Sequence, residues 1–146
     1  MIDLDDTDRA ILYALKQDGG LSAAALGKLI GLTQPSAWRR VKRLEDAGII
    51  LGRQIVLDRS RLGFDVVVYL GVKLVAKGRV GLEDFERAVC AIPEVQLVQH
   101  VLGIYDYRLK VVARDLSDFE RILRRRIMTL PGVGEVESNV LLSEEM

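Results

Sequence analysis

The stretch Leu32-Thr33-Gln34-Pro35-Ser36-Ala37-Trp38-Arg39-Arg40-Val41-Lys42-Arg43-Leu44-Glu45 decides how the first third of the chain is read. Thr33 is a helix N-cap residue, and Pro35 falls in the first turn, where a missing N–H costs little. Ala37, Val41 and Leu44 recur at helical spacing and form a buried stripe. The helix is expected to run to about Ala47, with Gly48 ending it. Pro35, Ser36, Arg39, Lys42 and Arg43 point away from the stripe, and Gln34, Trp38 and Arg40 lie on its flanks. The outer face is therefore basic, with hydrogen-bonding groups near its N-terminal end. A helix that reads DNA needs this arrangement: its first residues reach base edges in the major groove, and its cations meet phosphates. The candidate DNA-binding residues are Gln34, Ser36, Arg39, Arg40, Lys42 and Arg43. Trp38 reads as a packing residue at the flank.

Toward the N-terminus, Ser22 caps a preceding helix that carries Leu26, Leu29 and Ile30 on one face, and Gly31 stops it. Two short helices joined by a tight Gly-containing turn make a helix-turn-helix. An earlier helix spans about Asp6 to Lys16, with Ile11, Leu12 and Leu15 at helical spacing. Asp3, Asp5, Asp6 and Asp8 crowd its positive end; Asp5 or Asp6 caps it, and the cluster reads as caps rather than metal ligands. Toward the C-terminus, Ile49, Ile50 and Gln54 to Leu57 read as a strand, and Asp58 to Gly63 as a turn. The expected organisation is a helix-turn-helix domain over 1–52, a strand and linker over 53–63, and a second domain over 64–146.

The second domain alternates. Val66 to Val75 reads as a strand, Leu82 to Ile92 as a helix, Val95 to Leu102 and Tyr107 to Ala113 as strands. Ser117 to Leu130 reads as a helix capped by Ser117, and Val133 to Leu142 as the last strand. The order βαββαβ is that of a ferredoxin-like plait, so the fold class is α+β. An internal echo supports it. Leu82-Glu83-Asp84-Phe85-Glu86-Arg87 matches Leu116-Ser117-Asp118-Phe119-Glu120-Arg121, and Ile92-Pro93-Glu94-Val95 matches Leu130-Pro131-Gly132-Val133. The second copy is longer by about one helical turn. Both helices should cover one face of the sheet. Val66 to Leu70 is apolar on both sides, which implies a cover on the other face too, and a second copy of the chain would supply it. A homodimer also suits a helix-turn-helix, which reads paired half-sites.

Composition bounds the rest. The 146 residues are 49% hydrophobic and 29% charged, with 21 basic and 21 acidic side chains and one cysteine. This is globular, and the single Cys90 excludes an intrachain disulfide and fits a reducing compartment. Cys90 itself reads as a packed helix residue. The acidic start carries no signal-peptide pattern, and no run reaches the ~20 apolar residues of a membrane span. A cytoplasmic location without membrane attachment is expected. Zero net charge does not exclude DNA, because Arg39, Arg40, Lys42 and Arg43 crowd one segment and make a local basic patch.

Four segments, Leu4 to Leu12, Leu32 to Ile50, Gly103-Ile104-Tyr105-Asp106-Tyr107 and Leu130-Pro131-Gly132-Val133, resemble the leucine-responsive/asparagine-regulator (Lrp/AsnC) family of transcription regulators. The resemblance runs from Leu4 to about Leu142. It implies a DNA-binding head on double-stranded DNA, a hinge strand, and an effector-binding α/β domain. It also implies dimers that can assemble into octamers, with amino-acid effectors bound between dimers and no cofactor. By that resemblance the turn at Gly103 to Asp106 and the last strand near Ser138 line the effector site, giving Leu102, Gly103, Tyr105, Asp106 and Ser138 as candidates. Asp106 would accept from an ammonium group, and turn N–H groups would hold a carboxylate. Leu102 replaces the small hydroxyl residue of many family members, so the pocket is expected to be more apolar.

An enzyme of the same architecture, resembling the siroheme decarboxylases, is the rival reading. It would call for histidines near a tetrapyrrole. The chain has one, His100, which reads as a packed or surface strand residue. One Cys and one His make no zinc site, and there is no GxGxxG or P-loop motif.

Overall fold

The structure, a computed structural model, describes residues 2–75 and 78–145. It divides into two compact units after Leu57. Among the described residues no helix is long and apolar enough to cross a membrane.

The first unit holds α1 (Asp6–Gln17), α2 (Ala23–Ile30) and α3 (Gln34–Asp46). Asp5 is the N-cap of α1: its carboxylate accepts from the Asp8 N–H, and Asp8 returns the bond to the Asp5 N–H. Ser22 caps α2 and Thr33 caps α3, as the residue pattern predicts, and Gly31 closes α2 in the left-handed region at φ 86°. Ile11, Ala14, Leu26, Val41 and Leu44 form the core. Leu29 departs from expectation: it is exposed, and α2 buries Leu26 and Gly27 instead. Gly27 is where α2 meets the turn into α3. A Cβ there would lie 2.5 Å from the Leu32 carbonyl oxygen.

The strand expected over Ile49 to Leu57 is absent. Ile49 and Ile50 pack on the helical core, but Leu51, Ile55, Val56 and Leu57 are exposed and no strand is formed before residue 66 among the described residues. A β-prone segment becomes a strand only when another strand takes its N–H and C=O groups, and none is offered within this unit.

The second unit runs β1 (Val66–Leu74), α4 (Arg79–Cys90), β2 (Val95–His100), β3 (Tyr107–Ala113), α5 (Leu116–Ile122, continued by a π-helical turn over Leu123–Ile127) and β4 (Val133–Val140). The four strands are antiparallel in the order β2-β3-β1-β4, the ferredoxin-like plait. Val68, Leu70, Val72 and Leu74 of β1 and Leu109 and Val111 of β3 meet Phe85, Val89, Phe119, Ile122 and Ile127 from the helices. One sheet face is thus covered. Three local readings are corrected. The N-cap of α5 is Asp115 rather than Ser117, with its carboxylate on the Asp118 N–H at 2.7 Å. The helix α4 begins at Arg79, three residues before Leu82. Cys90 is exposed rather than packed.

The extra helical length in the second half of the echo coincides with the π-helical turn. Wider i→i+5 turns of this kind are how a helix takes in an added residue without losing its buried face.

Candidate DNA-reading helix and effector site

In α3 the buried stripe is the expected one, Ala37, Val41 and Leu44. Gln34 and Ser36 sit in the first turn, where Thr33 caps the Ser36 N–H. Arg39 carries no ion pair among the described residues. Lys42 is paired with Asp46 at 3.2 Å, an exposed i,i+4 contact worth only about 0.3–0.5 kcal/mol. Arg40 and Arg43 behave differently. Each turns back to the start of α1 and bonds its aspartates. The Arg40 guanidinium, and then the Asp8 N–H, hold the Asp5 carboxyl below its ordinary range. Of the six candidates, then, four face outward without a strong partner and two are engaged inside the unit. Trp38 is half out in solvent and lines a cavity with Ser22, Leu26, Lys42 and Arg53. Arg53, not singled out from the sequence, donates to the carbonyls of Gly19 and Leu21 and holds the loop before α2.

In the sheet unit the five effector candidates do not converge within one chain. Leu102 is fully exposed, and nothing lies within 4 Å of a Cβ placed on Gly103. The Asp106 carboxylate accepts from the Leu74 N–H at 2.8 Å, and its own N–H donates to the Val72 carbonyl at 2.9 Å. It ties the turn to β1 through Oδ2. Ser138 pairs with Leu70, whose side chain enters the core; it therefore lies on the opposite sheet face from Glu137.

What the fold does assemble is a shallow cavity of about 250 Å3 on the open face, lined by Tyr69, Gly71, Tyr105, Arg108, Glu137 and Asn139. Of the five candidates only Tyr105 belongs to it. Its ring covers Gly71 so closely that a Cβ there would come within 2.7 Å of Cδ2. Its hydroxyl donates to Glu137, which raises the Tyr105 phenol and lowers the Glu137 carboxyl from their ordinary values. Arg108, Glu137 and Asn139 were missed. Their signal was Gly71, an isolated glycine inside a β-branched run, which marks a close approach over the sheet.

His100 is exposed on β2 and stacks on Tyr107 with ring centroids 4.7 Å apart. Tyr107 is buried, rests on Phe85, and donates its hydroxyl to Glu86.

Residues 4–50 match a winged helix-turn-helix DNA-binding domain, and residues 67–146 match the Lrp/AsnC ligand binding domain. The chain belongs to the Lrp/AsnC family. It is 39% identical over 140 residues to the proline dehydrogenase transcriptional activator of Rhizobium radiobacter, covering 96% of this chain and 90% of that one. It is 34% identical over 142 residues to the leucine-responsive regulatory protein of Escherichia coli, covering 97% and 87%. Among solved structures, a Neisseria meningitidis transcriptional regulator in complex with L-methionine superposes with a TM-score of 0.92 at 29% identity, covering 97% of this chain and 92% of that one. This Lrp/AsnC protein is thus an effector-responsive, DNA-binding transcription regulator. Its DNA-binding domain is the helical unit, and its ligand-binding domain is the plait.

Proposed function

We propose that the chain acts as a cytoplasmic homodimer, able to assemble further toward an octamer, that reads double-stranded DNA and responds to an apolar amino acid, without a cofactor and without enzymatic activity. The outer face of α3 carries the DNA part of this reading: Gln34, Ser36 and Arg39 face outward there, and Lys42 is held only by an exposed pair with Asp46 that a phosphate can displace. Arg39→Ala should weaken operator binding by about 1–3 kcal/mol if the side chain reads a base. Lys42→Ala should weaken all duplexes alike and flatten the salt dependence by about one unit. Fluorescence anisotropy on specific and random duplexes checks both; equal affinity of the double variant and wild type would remove α3 from the interface.

Two features support the dimer. The sheet has one face that neither α4 nor α5 covers, and the segment 51–57 offers Leu51, Ile55, Val56 and Leu57 with no strand to pair them among the described residues. A second copy supplies a cover and a strand at once. The amino-acid effector is supported by the relative bound to L-methionine and by the apolar turn, where Leu102 and Ile104 are both exposed. The proposed contacts are the turn from Leu102 through Gly103 and Tyr105, with Asp106 holding the turn on β1, and Ser138 on the last strand. Thermal shift against each protein amino acid tests it: a ligand at a hundred times its Kd adds about 2.7 kcal/mol of stability. Asp106→Ala should lower that shift by releasing the turn. Stabilisation by none of the amino acids would sink the effector assignment. The relatives named as transcriptional regulators favour this reading over a tetrapyrrole enzyme.

A further inference from the structure

The cations of α3 divide by what they touch. Among the described residues the ion pair of Lys42 is with the exposed Asp46. Arg40 places Nη1 at 2.8 and 3.0 Å from the two Asp5 oxygens and 3.1 Å from Asp8 Oδ1. Arg43 donates Nη1 to Asp8 Oδ2 at 3.0 Å and Nη2 to the Asp3 carbonyl at 2.9 Å. The Asp8 side chain is 1% exposed, and its Oδ2 also accepts the Asp5 N–H at 3.2 Å.

We propose that Asp5 and Asp8 are positioning residues for DNA recognition, and that Arg40 and Arg43 serve recognition as anchors of α3 rather than as phosphate contacts. A buried carboxylate is tolerated when its charge is paired and its lone pairs are filled, and removing one partner leaves an uncompensated charge. A phosphate that drew Arg43 or Arg40 away would strip the buried Asp8 of one of its two cation partners, and drawing both would leave its charge uncompensated. One that drew Lys42 would break only an exposed pair, which costs far less. The magnitudes therefore assign phosphate contact to Lys42 and anchoring to the two arginines. Asp5 and Asp8 also close the N-terminal box of α1. The first turn of α1 and the middle of α3 are thus joined by one charged network, and the angle at which α3 meets a groove follows from it.

The two roles predict opposite signs. The probe is a fluorescent duplex selected by the full-length protein from a random pool, titrated at several salt concentrations. If Arg40 and Arg43 were phosphate contacts, Asp8→Asn would free two cations, tighten binding and steepen the salt dependence. As anchors they lose their register, and Asp8→Asn should weaken binding about tenfold or more with the slope unchanged. Asp5→Asn keeps an N-cap oxygen while removing the charge on Arg40, so it carries the same test where Asp8→Asn proves too unstable; weaker binding at equal slope is again expected. Arg43→Ala should lower affinity without changing the slope, whereas each lost phosphate contact flattens it by about 0.9. Arg43→Lys keeps the charge but not the two-pronged reach to Asp8 and Asp3, and should bind as poorly as Arg43→Ala. Tighter binding by either aspartate variant, a slope loss near 0.9 in Arg43→Ala, or full rescue by Arg43→Lys would each overturn the assignment. Failure of the wild-type chain to bind any duplex would strike at the DNA-reading function itself, a different result from any of these.

Discussion

Gly27→Val is expected to unfold the N-terminal unit and abolish DNA binding while the plait stays folded. The Leu32 carbonyl oxygen lies 2.5 Å from where the new Cβ would be, and the Leu32 carbon and the Thr33 oxygen lie at 3.4 Å. These are backbone atoms, so no rotamer change relieves the clash. The backbone is also pinned, because the Leu32 N–H donates to the Gly27 carbonyl at 2.8 Å and Thr33 caps α3. Overpacking costs about 1–3 kcal/mol where side chains can adjust, and this site should exceed that range. A unit this small has little stability in reserve. Trp38 is the one tryptophan and lies in this unit, so its fluorescence follows the N-terminal transition alone while far-ultraviolet circular dichroism follows both. Wild-type melting of Trp38 in Gly27→Val would refute the tight-turn argument. Gly27→Ala meets the same oxygen and should fail in the same direction, by less.

The mirror experiment is Phe85→Ala, which should cost the plait about 3–5 kcal/mol. Phe85 is fully buried beneath the sheet and its ring sits 4.7 Å from that of Tyr107. Truncation opens a cavity and removes an aromatic pair worth about 0.5–1.5 kcal/mol beyond its buried area. Tyr107 would then lose the support that holds its hydroxyl on Glu86. The second calorimetric transition should fall sharply, with effector binding lost at temperatures where wild type still binds. The Trp38 transition should stay where it is. A variant that melts like wild type would mean that this ring is not a keystone of the core.

These two sites illustrate how much of the molecule was legible. The caps of α2 and α3, the stop at Gly31 and the stripe Ala37, Val41 and Leu44 were readable because each depends on a few neighbouring residues. The plait was readable from the alternation of strand and helix and from its internal echo. What was not legible depends on contacts distant in sequence. A helical wheel gives the direction of a Cβ, but not that a long arginine folds back to an aspartate 35 residues earlier, as Arg40 and Arg43 do. It could not show which side of the short α2 is covered, so Leu29 was misplaced. The β-propensity of the segment 51–57 was real, but pairing is a property of two segments and, among the described residues, the first unit offers one. Asp106 was named as a ligand contact by the family resemblance; the turn pattern gave no sign that the Leu74 N–H also bonds its carboxylate.

The separation of the two hydrophobic cores bears on how such a regulator changes over generations. One core is built from the three helices and the other from the sheet and its two covering helices, and no buried residue belongs to both. Destabilising effects at distant, unshared sites add instead of compounding. A substitution in the core of the ligand half therefore removes no packing partner from the core of the DNA-binding half, and the reverse holds as well. A lineage can change the molecule it senses while keeping its set of target genes, or acquire new targets while keeping its signal.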